Sequence, residues 1–274
     1  MKTIQLNNGV MIPAPGLGTY RLGKNERAVI HAVRSAFDAG YRHIDTASFY
    51  ANEHAIGKAI AESGLPREEL FVTTKLWGTD ILKNGIERAF EESMRQLDIA
   101  YIDLYLVHWP VTGAVASTWK EMERIYESGR VRAIGVSNHL IHHLEELLTV
   151  ATVVPAINQV ELHPYLVMQP LQDYCREKGI VVESWSPLGS SKIPLFSDPL
   201  LLEIAEKKGR STAQVILRWN LQKGLLPLPK SSDATRQREN IALFDFSLSA
   251  QEISMIDRLD KAQRTGIHPD EIGF

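Results

Sequence analysis

Four side chains in this 274-residue chain have the chemistry of a proton-transfer site: Asp45, Tyr50, Lys75 and His108. A free phenol ionises near pKa 10, too high for efficient proton donation at neutral pH, and an adjacent ammonium stabilises the phenolate and brings that value down. Tyr50 beside Lys75 therefore has the makings of a tuned acid. A charged lysine at the end of an interior-facing run needs a counter-charge, because burying an unpaired ammonium is costly; Asp45 is the natural one. Taken alone, His108 would read as a satisfied core histidine and Lys75 as a solvated lysine. Their places in the chain argue otherwise.

Those places are the ends of short apolar runs with strand character. Such runs span 16–20, 41–45, 71–75, 102–108, 132–136, 156–161, 181–186 and 225–229. Helical spacing separates them, over 27–39, 54–62, 85–97, 118–126, 140–148, 171–178 and 213–221. Ala28, Ala32, Ala36 and Ala39 form one stripe of the first helix, which Gly40 ends as a left-handed cap. Strands separated by helices pair in parallel through right-handed crossovers, and a regular series of eight predicts an α/β fold closed as a (β/α)8 TIM barrel, with a doubly wound open sheet as runner-up. An opening hairpin is expected around Asn8-Gly9, between Ile4–Leu6 and Val10–Ile12. The whole chain, 1–274, reads as one domain. The stretch 188–209, with Gly189, Pro194 and Pro199, is too long for an ordinary connection and predicts an inserted loop and helix able to cover a ligand. The tail after Leu259 has no strong periodicity.

In such a barrel the chemistry sits at the carboxyl ends of the strands. Asp45 ends the second run, Lys75 the third and His108 the fourth; Ser137-Asn138, Gln159, Trp185-Ser186 and Lys230-Ser231 follow at later ones. The two-residue period puts Leu104 and Leu106 on the face of His108, and Phe71 and Thr73 on that of Lys75. Composition excludes several alternatives. Thirty Lys+Arg against 33 Asp+Glu give a net charge of −3, which carries no nucleic-acid or membrane signature. Cys175 is the only cysteine, so neither an internal disulfide nor a cysteine zinc site is expected, and a reducing cytoplasm fits. The first ten residues lack the apolar stretch of a secretory signal, and no run reaches the roughly 18 apolar residues of a membrane span.

The segment from Gly40 to Glu53, GYRHIDTASFYANE, and that from Leu228 to Asn240, LPKSSDATRQREN, resemble two signatures of the aldo-keto reductase family, and the resemblance extends over nearly the whole chain. Within the family the chain resembles the bacterial 2,5-diketo-D-gluconate and methylglyoxal reductase type. The resemblance implies hydride transfer from NADPH to an aldehyde or ketone, with Asp45, Tyr50, Lys75 and His108 as the catalytic tetrad and Tyr50 as proton donor. It implies that Ser137, Asn138 and Gln159 hydrogen-bond the nicotinamide carboxamide, that Trp185 stacks on the nicotinamide, that Thr19, Ser186 and Leu188 also bind the cofactor, and that Lys230, Ser231, Arg236, Glu239 and Asn240 hold its adenosine end. There the start of a helix favours a phosphate, hence NADP(H). Trp185 stands where the family more often has tyrosine. Tyr20, Phe49, Trp77 and Trp109 are implied as substrate-pocket walls, and the short loop 110–117 and short tail, with Ile267 and His268 near the site, suggest an open mouth suited to small dicarbonyls, keto-sugars and aromatic aldehydes. A monomer is the family expectation.

Other chemistries fit less well. Gly16-Leu-Gly18 begins a dinucleotide fingerprint, but Arg21 occupies its third glycine position. Gly135-Val-Ser137-Asn-His139 begins a nucleophile elbow but ends in histidine. His139, His142 and His143 lack a His-Glu-x-x-His frame and read as a surface cluster, so no metal is assigned. A Schiff-base lysine would leave Tyr50 and His108 without a role. A reductase fold acting as a nucleotide-sensing regulatory subunit is the alternative from another class, and the intact tetrad opposes it.

Overall fold

The computed structural model describes residues 2–274 and folds as the barrel the alternation predicts. A hairpin of β1 (Lys2–Gln5) and β2 (Met11–Ala14) precedes eight parallel strands: β3 (Leu17–Gly18), β4 (His43–Asp45), β5 (Phe71–Leu76), β6 (Ile102–Val107), β7 (Val131–Ser137), β8 (Ile157–Glu161), β9 (Val181–Trp185) and β10 (Leu226–Leu228). Each pairs with its sequence neighbour from β3 to β10. The remaining seam is closed by two backbone bonds, Gly16 N–H to the Pro227 carbonyl (3.1 Å) and Gly18 N–H to the Pro229 carbonyl (3.2 Å). A side chain could not stand at that seam: a Cβ on Gly16 would lie 2.4 Å from His43 Nδ1 and 2.6 Å from Leu228 Cδ2. With no open edge left, the runner-up sheet is excluded.

Alternate residues fill the interior. Phe71, Leu104, Leu106, Ala133, Ile157 and Leu226 pack there with Leu6, Ile12 and Ala14 of the hairpin, which plugs the end where the strands begin. The opposite end is left as the open mouth of the barrel. Outside, the helices bury their apolar faces on the strands; the first, Glu26–Ala39, is capped by the Asn25 side chain and ended by Gly40 at φ 103°, as its stripe predicts. The boundaries of the other helices move by a few residues at most. Two helices have no counterpart in the sequence reading, Gly78–Leu82 and Ala250–Asp257. The second had a readable start, a reciprocal capping box between Ser249 and Glu252. The inserted segment forms two short 3-10 turns and the helix Pro199–Lys208, capped by Asp198. No helix among the described residues is long and apolar enough to cross a membrane.

Candidate active site

Interior alternation delivers Lys75 to the floor of the mouth. It is fully buried, yet all three of its N–H donors are placed: Nζ donates to Asp45 Oδ1 at 2.6 Å, to the Thr46 carbonyl at 2.8 Å and to the Tyr50 hydroxyl at 3.5 Å. Burial pulls the ammonium down, but Asp45 and Tyr50 more than offset it, so Lys75 stays charged. Tyr50 comes from the turn Ser48–Tyr50 after β4, and Ser48 ties that turn down by donating to the Lys75 carbonyl (2.9 Å). Its phenol departs from the expectation drawn from the pair alone. Desolvation outweighs the pull of Lys75 and pushes Tyr50 up to about 12. The lysine therefore limits the rise instead of producing a fall, and the hydroxyl keeps its proton at neutral pH.

His108 follows β6 and packs edge-on against Tyr50, ring centroids 5.6 Å apart. Burial and the Lys75 charge hold it well below the ordinary histidine range, so it is a neutral imidazole. Its Nδ1 is sealed and unpartnered, which leaves Nε2 as the polar atom it offers to the mouth.

Above this floor opens a cavity of about 1460 Å³. Of the residues assigned to catalysis, cofactor or substrate in the sequence, Lys75 alone does not line it, lying beneath the surface. Ser137, Asn138, Gln159, Trp185, Ser186 and Leu188 form one wall, and Lys230, Ser231, Arg236, Glu239 and Asn240 form the far end. Asn138 and Ser186 adopt left-handed backbone, φ 62° and 50°, a strained choice for non-glycine residues that recurs where a side chain must be aimed. The indole of Trp185 donates to Asn138 Oδ1 (2.8 Å), a fixed anchor. Its far edge abuts Gly266, where a Cβ would come within 2.6 Å of the ring. Thr19, also on the wall, already donates its hydroxyl to the Asp45 carbonyl (2.8 Å).

Gln159 shows most directly that this wall fits a nicotinamide carboxamide. Its amide nitrogen gives one hydrogen to Asp45 Oδ2 (2.7 Å) and the other to Glu183 Oε2 (2.5 Å). Two carboxyl oxygens on one side fix the amide orientation, and Oε1, which meets no donor among the described residues, is left for a ligand N–H. At the far end the expectation needs a correction. The helix Ala234–Ile241 does not present bare amides to a phosphate, because Asp233 caps it by accepting from Arg236 N–H (2.9 Å). The cationic character comes instead from the side chains of Lys230 and Arg236, neither of which forms an ion pair among the described residues. That donor set fits a phosphate-bearing adenosine.

Sequence reading missed several cavity residues: Arg21, Lys192, Phe196, Leu202, Glu206 and Arg210 among them. Most belong to or flank the insertion, whose path no periodicity specifies. The insertion is tied to the tail by Lys192, which donates to the Thr265 carbonyl (2.7 Å). The tail is tied in turn to β8: Glu161 accepts from Thr265 N–H (2.6 Å) and Gly266 N–H (3.2 Å). Ile267 thereby reaches the mouth, whereas His268 turns away toward Asp270. At the rim, Phe49 stacks on Trp77 (4.0 Å between ring centroids) and Tyr20 leans on Tyr50 (5.0 Å). Trp109 completes that side.

Comparison with known proteins places this closed parallel barrel, with its paired lysine and tyrosine at the mouth, in a class of oxidoreductases. The chain belongs to the aldo/keto reductase family, whose model matches residues 16–261. It is 46% identical over 272 residues to the glyoxal reductase of Bacillus subtilis (strain 168), covering 99% of this chain and 98% of that protein. It is equally 46% identical over 283 residues to the morphine 6-dehydrogenase of Pseudomonas putida, covering 98% and 95%. Among solved structures it resembles the Bombyx mori aldo-keto reductase in complex with NADP, at a TM-score of 0.94 and 37% identity, covering 100% of this chain and 97% of that one.

Proposed function

We propose that this member of the family is an NADPH-dependent reductase of small aldehydes and ketones, chiefly dicarbonyls, keto-sugars and aromatic aldehydes, with Tyr50 as general acid. The observation that carries this reading is the Lys75 ammonium, held by Asp45 and the Thr46 carbonyl and directed at the Tyr50 hydroxyl on the cavity floor. When bound in this cavity, NADPH would supply the hydride for the carbonyl carbon. Tyr50 gives its proton to the carbonyl oxygen, and Lys75 stabilises the phenolate that remains. His108, neutral, donates from Nε2 to the same oxygen as charge develops there, and Asp45 keeps Lys75 charged and in place. Gln159, Asn138 and Ser137 would hold the carboxamide, and Trp185 would offer its ring to the nicotinamide. Because the phenol is protonated through neutral pH, reduction should be flat there and fall at alkaline pH. The reverse reaction needs phenolate and should rise in the same range.

Lys230, Ser231 and Arg236 support NADPH over NADH. Arg236→Ala is expected to raise KM for NADPH by about tenfold or more, the scale of one lost charge-assisted phosphate contact, and to leave KM for NADH nearly unchanged. Steady-state kinetics with both cofactors read this directly, and equal effects would reject the phosphate assignment.

The rim supports small or flat substrates. Tyr20, Phe49 and Ile267 are about half exposed, and no long loop closes over them. A cytoplasmic monomer, the family expectation, goes with this reading, and Cys175, buried and free, forms no disulfide. A panel of glyoxal, methylglyoxal, a diketogluconate, benzaldehyde, a morphinan ketone and a steroid ketone, followed by NADPH oxidation, tests the reading. Highest kcat/KM is expected with the dicarbonyls. A marked preference for the polycyclic ketones would overturn the substrate class, and tight NADPH binding without turnover of any of them would point to a regulatory role.

A further inference from the structure

Beneath the tetrad lies a second carboxyl that the mechanism above does not use. Glu183, in the middle of β9, is fully buried inside the barrel. Its register neighbours are Gln159 on β8 and Leu226 on β10. Oε2 accepts from the Gln159 amide, which also donates to Asp45, whereas Oε1 is buried with no hydrogen-bond partner and lies 3.8 Å from His43 Nε2. We propose that Glu183 is a positioning residue of this site: with Asp45 it clamps the Gln159 amide, and its protonation state sets the charge beneath Tyr50 and so the pH range in which the phenol keeps its proton.

The charge count carries the argument. The titratable groups facing Glu183 are Asp45 and His43 on β4 and Lys75 on β5, with Tyr50 beyond Asp45. The one cation, Lys75, is in direct contact with Asp45 and not with Glu183. His43 is neutral, held down to about 3 by burial and by Lys75, and its Nε2 already meets the Thr73 hydroxyl (3.1 Å). One ammonium cannot compensate two buried carboxylates, so one carboxyl must hold a proton, and geometry assigns it to Glu183. The unpartnered Oε1 is the atom available to carry it, leaving Oε2 free to accept. Burial, reinforced by the Asp45 charge, pushes Glu183 up to about 8. It is therefore neutral at pH 7 and ionises just above. Once ionised, it places a second negative charge below the Tyr50–Lys75 pair and opposes phenolate formation.

The sign of the test follows. Removing the ionisable group removes that opposition, so phenolate should form at lower pH. In Glu183→Gln, which retains an acceptor for the Gln159 amide, the alkaline rise of alcohol oxidation by NADP+ is expected to move down by about half a pH unit or more, the order of one charge acting through a protein interior. KM for NADPH should stay near the wild-type value. Glu183→Met also removes the charge but gives Gln159 no acceptor, so the same displacement should come with a severalfold higher KM for NADPH. The inference rests on the reductase reading, which wild-type turnover tests by itself; the displacement between variant and wild type tests Glu183. A merely structural role would lower melting temperature and kcat at every pH without moving the limb. Either variant, folded by circular dichroism and showing the wild-type pH profile, overturns the proposal.

Discussion

Tyr50→Phe is expected to lower kcat for carbonyl reduction by about 10²–10⁴-fold, the usual contribution of a positioned general acid. The substitution removes one oxygen from a ring that packs against Tyr20 and His108, and no hydrogen bond to that oxygen supports the fold except the long one from Lys75. NADPH affinity and melting temperature should therefore stay near wild type. Lys75 keeps its two shorter contacts in the variant, so its charge remains balanced. Steady-state kinetics with methylglyoxal, beside a fluorescence titration of NADPH, separate the lost proton from lost binding. A comparable fall in affinity would mean that the tyrosine acts mainly as a wall of the pocket.

Lys75→Met is expected to have two large effects that a second substitution can divide. Without the ammonium, Tyr50 loses the one group that opposes its desolvation, and kcat should fall by about 10²-fold or more. Asp45 meanwhile becomes a buried carboxylate with no cation, a change that typically costs about 3–5 kcal/mol when one partner of a buried pair is removed. Glu183, joined to Asp45 through the Gln159 amide and neutral at pH 7, supplies no cation to compensate it. The double variant Asp45→Asn/Lys75→Met removes both charges and should recover most of the stability but none of the turnover. Thermal unfolding of the two variants beside their kinetics checks this. Equal stability of single and double variants would show that the stranded Asp45 carboxylate costs the fold nothing.

What the sequence made legible followed from strict periods. The two-residue alternation of Phe71, Thr73 and Lys75, and of Leu104, Leu106 and His108, holds in the structure because every barrel strand has a face turned inward. That brought Lys75 and His108 to one mouth, where Asp45 ends its own strand, and Tyr50 needed only the short turn after Asp45. What remained hidden depended on residues far apart in the chain. Nothing in the run from Val181 to Trp185 tells that Glu183 meets Gln159 across the barrel, or that Asp45 shares the same amide. The direction of the Tyr50 shift was misjudged for a related reason: the neighbouring ammonium is visible in the sequence, whereas the degree of desolvation is a property of the closed barrel. Likewise Asp233 stood in plain view as a capping residue, yet its occupation of the helix start was read as open to a phosphate. The tail gave no periodic signal because it is held by scattered hydrogen bonds, to Glu161, Lys192 and the Tyr165 carbonyl, instead of by the regular face of a helix or strand.

The central claim is that the phenol at position 50 supplies the proton that accompanies hydride delivery. Single-turnover decay of NADPH absorbance, with enzyme saturated in cofactor and mixed rapidly with methylglyoxal, measures that step without product release. The account predicts a fast transient in the wild type that slows by at least about 10²-fold in Tyr50→Phe at equal cofactor occupancy. A transient of unchanged rate in the variant would contradict it.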